Sequence, residues 1–170
     1  MEPPNYNEMT PRDVGRLLAL SIGTICRADK FSKMEQELLR AVPDLEITYL
    51  DELIILVMFA MDYAIVTLLG ESTKGKEVRT GFLEVWESQS KKNSKYLAFY
   101  RLFLKRCPVY GKAVVGLAPG TISPIALAFG GNLKSESSEA QLLALTFADN
   151  YFFGTVESVG NILREANLMA

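Results

Sequence analysis

The stretch Leu53–Leu69, LIILVMFAMDYAIVTLL, contains one charge, Asp62, and no Gly or Pro. A segment this apolar has to be buried, either among the chain's own helices or in lipid. Extended back to residue 46 it predicts a helix over 46–69, about 36 Å long. At helical spacing Leu50, Leu53, Ile54, Val57, Ala60, Met61, Ala64 and Leu68 share a side without a polar group. The opposite side mixes Asp51, Glu52, Asp62, Tyr49, Tyr63 and Thr67 with Ile55, Phe59 and Val66, and therefore needs polar partners.

Upstream, Thr10, Pro11 and Asp13 supply a hydroxyl cap, a proline where no donor is required and an acid facing the helix dipole. They predict a helix over about 11–28, in which Gly15, Ala19 and Gly23, spaced four apart, form a row that permits close helix approach. Ser32 with Glu35 reads as a capping box for a short helix that stops before Pro43, and Asp44 or Thr48 caps the central helix.

Downstream, Val78, Phe82, Val85, Trp86 and Gln89 predict a helix over about 74–90, and KKNS at 91–94 either a break or a solvated turn within a longer helix. An amphipathic piece follows from Ser94 to Arg106. The uncharged stretch 113–133 contains Pro119, Pro124 and four glycines, so only a short helix capped by Ser123 and Pro124 and ending at Gly130 is expected there. Ser138 with Gln141 opens a long last helix over 138–167. Strand-like alternation is missing. The expectation is an all-α bundle of five or six helices without significant β-sheet, forming one domain over 10–170 behind a flexible 1–9.

At 170 residues, 49% hydrophobic and 22% charged, the chain can bury a full core and lies far from disordered composition. It has no His, which excludes Ser-His and Cys-His nucleophiles, His-ligated metals and imidazole bases. Cys26 and Cys107 stand in no metal-ligand spacing, so neither a metal nor a cofactor is expected. The start MEPPNYNEMT is a poor match to a secretory signal, and the cytoplasm is the expected location, with a membrane as the alternative.

Three patterns bear on function. Gly70–Lys76, GESTKGK, has the GxxxxGK spacing of a phosphate loop, but Glu77 stands where magnesium chemistry requires Ser or Thr; a capped helix start is the simpler reading. Residues 71–112 hold ten Lys and Arg against four Glu, and include the basic face Lys91, Lys95, Arg101, Lys105 and Arg106. A basic loop between 53–69 and 113–133 would suit a membrane hairpin with that loop in the cytoplasm. An acidic remainder makes nucleic acid a poor partner.

Finally, FAMDYAIVT at 59–67 and FADNYFFGT at 147–155 share F-A-x-(D/N)-Y-x-x-x-T. They suggest a weak duplication, with halves about 10–85 and 90–170. On that reading Asp62, Tyr63, Thr67, Asn150, Tyr151 and Thr155 are the ligand or interface candidates. Tyr151, Asn150 or a base from 91–106 would be the donor to Asp62. The favoured function is a non-enzymatic binding or assembly protein that joins a second copy or a protein partner through apolar helix surfaces. The membrane hairpin comes second, and a nucleotide-dependent enzyme using GESTKGK third.

Overall fold

A computed structural model describes residues 5–116, 123–133, 135 and 137–169. The described residues are helical and contain no strand: α1 (Pro11–Ile25), α2 (Lys33–Ala41), α3 (Leu45–Leu69), α4 (Thr73–Lys92), α5 (Ser94–Val115), α6 (Pro124–Asn132) and α7 (Ser138–Glu165), with 3-10 turns at Tyr6–Glu8 and Ala28–Lys30. The fold is all-α, but with seven helices the expectation of five or six is corrected. Two local features set the count. Asn93 is extended and its side chain accepts from the Lys95 amide, so α4 and α5 are separate helices that meet at Asn93 alone, with Lys91 and Lys92 still in α4 and Ser94 opening α5. Ser123 accepts from the amides of Ile125 and Ala126 ahead of Pro124, which starts α6 inside the uncharged stretch. Residues 117–122, at the centre of that stretch, lie outside the described residues.

α5 also runs nine residues past its expected end at Arg106, straight through Pro108. Proline removes one backbone bond and crowds the preceding turn. Pro108 is exposed, so water can take the released carbonyl, and the continuation carries Tyr110 into the core. Other caps follow the local chemistry. Thr10 accepts from the Asp13 amide, Ser32 and Glu35 form the reciprocal box, and Ser72 accepts from Gly75. The last helix is capped by Ser137 rather than Ser138, because Ser137 reaches the Ala140 amide.

α3 is the axis of the bundle, buried from Ile55 through Asp62 without a break. α7 lies along one side of it; α4, α5 and α1 cover the rest, and α6 packs on α7. A fully buried Leu or Ile contributes about 1.5–3 kcal/mol relative to exposure, so α3 dominates the apolar stabilisation. Among the described residues α3 is the one helix long and apolar enough to cross a membrane, and 67% of its apolar window is already covered by the bundle. The other half of the expected hairpin, 113–133, is divided between the end of α5 and all of α6.

α1 and α4 form the closest pair. A side-chain carbon on Gly15 would stand 1.9 Å from the Val78 carbonyl oxygen, and one on Gly81 2.0 Å from that of Arg12. The backbones touch there. Gly70, at φ 58°, ends α3 and lets the chain turn back into α4.

Candidate functional site

The polar side of α3 acquires its partners from four other helices. Glu52, 3% exposed, receives the Tyr110 hydroxyl at 2.7 Å, the Asn132 amide at 2.9 Å and the Arg106 Nε at 3.3 Å, so it joins α3, α5 and α6. Glu35, 1% exposed, receives the Tyr49 hydroxyl at 2.5 Å and the Tyr151 hydroxyl at 3.2 Å, joining α2, α3 and α7. Asp62 receives Arg79 in a two-pronged contact, Nε at 2.7 Å and Nη2 at 3.0 Å, joining α3 to α4. Burial, reinforced by the adjacent glutamates, pushes the phenols of Tyr49, Tyr110 and Tyr151 above their ordinary values; they stay neutral donors at physiological pH. A carboxylate buried without partners would cost several kcal/mol. Here all three are engaged, and what they do is fix helix register.

The expected donor to Asp62 is thus corrected: Arg79 holds it, while Tyr151 goes to Glu35 and Arg106 to Glu52. Of the six candidates, Tyr63 packs on Phe152 at 5.7 Å, next in chain to Tyr151, and Thr155 is buried. Thr67 and Asn150 are exposed, and Asn150 bonds its own helix at the Thr146 carbonyl. Three of the six stand on α3 and three on α7, but Asp62 faces α4, and the structure joins none of their polar groups to one another. Of the basic face, Lys91, Lys95, Arg101 and Lys105 are exposed, but Arg106 points inward to Glu52 with its side chain 15% exposed.

GESTKGK is the α3–α4 connection. Gly70 closes one helix, Ser72 caps the next, and Lys76 pairs with Glu71 in solvent. A helix, not a strand, precedes it. Among the described residues no group of three or more Cys, Asp and Glu is placed to hold a metal ion.

Two regions keep unpartnered groups. Between α6 and α7 lies an open groove of about 290 Å³ with Gly130, Gly131 and Ala144 along it and Leu127 and Leu145 exposed at 57% and 48%. Leu142 is exposed one turn before Leu145, and Phe153 two turns after it. Between α1, α4 and the start of α5 lies a cavity of about 440 Å³ with Ile22, Gly23, Cys26, Trp86 and Phe99 among its walls. Trp86 is 6% exposed, and its indole N–H has no acceptor. An unsatisfied buried donor costs about 1–3 kcal/mol. The helical pattern finds Trp86 as a core residue, but an orphaned donor is a property of the assembled neighbours and leaves no mark in sequence.

No protein-family model matches the chain, nor does any curated protein or solved structure.

Proposed function

We propose that this helical bundle is a non-enzymatic assembly protein that pairs with a second copy of itself through the α6–α7 face. The α6–α7 groove carries the reading. Leucines on both of its banks are half exposed, Gly131 faces open space where a partner helix can approach closely, and residues 123–133 contribute no charge. The buried carboxylates support a scaffolding role, since their hydrogen-bonding capacity is turned inward to hold helices together.

A two-fold contact brings the same patch from each copy together, so each residue acts twice. Sedimentation velocity at micromolar concentrations should show a dimer. Leu145→Glu places two desolvated charges in that contact and should yield a monomer with an unchanged melting temperature, because Leu145 supports little of the bundle's own core. A wild-type chain that sediments as a monomer across the accessible concentration range overturns the proposal.

A further inference from the structure

We propose that the cavity between α1, α4 and the start of α5 is a binding site for a medium-chain aliphatic carboxylate. Its volume of about 440 Å³ lies in the range of small-molecule sites, roughly 300–1,000 Å³. It is elongated: its α1 wall runs from Ala19 to Cys26, about 10 Å of helix. That shape suits a chain better than a compact ring. The walls are mostly apolar, with Gln89, Asn93 and Lys95 as polar members, and burial pushes the Cys26 thiol up to about 12, so it stays uncharged beside a ligand's chain.

The head group is read from Lys95. Trp86 lines the cavity, with its indole N–H enclosed among its neighbours and not open to it. Lys95, also lining the cavity, holds its ammonium 5.6 Å from the Phe99 ring centre and has no ion pair among the described residues. Asp51 feels the Lys95 charge without coming within pairing distance, and burial raises its carboxyl above the ordinary value. An anionic head group pairs with the Lys95 ammonium, whereas a cationic head is repelled by it.

Gly23 provides the means of testing this. A side-chain carbon built on it meets nothing within 4 Å, so a larger residue can start there and extend over the cavity that Gly23 lines. Trp86 is also the only tryptophan, which makes fluorescence a direct reporter.

Titration of the wild-type chain with decanoate, below its micellar concentration, should give a saturable change in Trp86 emission. Decyltrimethylammonium should give none. Gly23→Leu should abolish the saturable change while keeping the melting temperature at or above wild type. Lys95→Met should weaken decanoate by roughly tenfold, the loss of one charge-assisted contact, and leave 1-decanol binding unchanged. Absence of saturation in the wild type, equal affinity in Gly23→Leu, or equal binding of the cationic amphiphile each overturns the assignment.

Discussion

The α1–α4 pair has two ends that use the same residue for opposite purposes. At one, Gly15 and Gly81 remove the side chains that would keep the helices apart, and each faces the other helix's carbonyl oxygen. At the other, two turns along α1, Gly23 faces empty space and the helices are separated by the cavity with Trp86 in its wall. Helices that cross touch closely at one point and part on either side of it. The Gly15, Ala19, Gly23 row therefore cannot act as a uniform contact stripe. Its first member makes the contact and its last opens a gap.

The largest effect should come from closing space that does not exist. Gly15→Ala or Gly81→Ala puts a methyl group within 2 Å of a backbone oxygen that belongs to a helix and cannot swing away. The helices must separate, disturbing Val14, Leu18, Val78 and Phe82 beneath them. Each variant should lose about 3 kcal/mol or more, at the upper end of overpacking costs. Urea denaturation followed by Trp86 fluorescence measures it, and a loss below about 1 kcal/mol would mean the two helices do not meet as closely as their backbones show.

The row itself was legible in the sequence, but which glycine touched and which did not was unreadable, because crossing geometry is set by the whole bundle. Local chemistry was read well. Thr10, Ser32 and Ser123 cap helices through amides two or three residues on, and the apolar run of α3 leaves no alternative to burial. The end of α5 lies beyond the amphipathic piece that closes at Arg106, because Tyr110's bond to Glu52 rewards continuing through Pro108 and depends on a partner 58 residues earlier. Ser137 and Ser138 are chemically equivalent, so a one-residue error there was unavoidable.

Arg79 could have been found: 62 and 79 lie nearly equal distances from the turn after Leu69, and an antiparallel helix pair brings such positions level. Glu35 had a visible capping role, but its burial beneath Tyr49 and Tyr151 depends on α7 arriving from more than 100 residues away. Nothing in the sequence distinguishes Arg106 from the bases around it; its inward turn depends on Glu52, 54 residues earlier.

A smaller effect of opposite sign is expected at the open end. Gly23 lies inside α1, where glycine is less favourable than alanine by about 0.5–1 kcal/mol because it is more flexible when unfolded. With nothing within 4 Å of the added carbon, Gly23→Ala should raise stability by about that amount. The pair Gly15→Ala and Gly23→Ala is thus one chemical change at two places on one helix with opposite outcomes. Equal losses in thermal denaturation would erase the difference between the two ends.

The smallest effect separates contact from charge at the closed end. Arg12 and Arg16 both bond Glu84 across the pair, and Arg16 also bonds Asp13. The strap is in solvent. Hydrogen bonds from Arg12, and then its charge, lower the Glu84 carboxyl below its ordinary value of 4.5. A carboxylate depressed by folding adds stability that is complete above its unfolded value and is lost as pH falls through the folded one. The contribution of Glu84 is therefore present at neutral pH, fades below about pH 4.5 and is screened by salt. Because the helix contact rests on Gly15 and Gly81, Glu84→Gln should leave the melting temperature at neutral pH and high salt essentially unchanged. Its effect should appear as a shallower loss of stability as pH falls below about 4.5, measured by melting temperature at low ionic strength. If Glu84→Gln instead destabilised the protein as much as Gly15→Ala at neutral pH, the strap and not the backbone contact would be holding the closed end together.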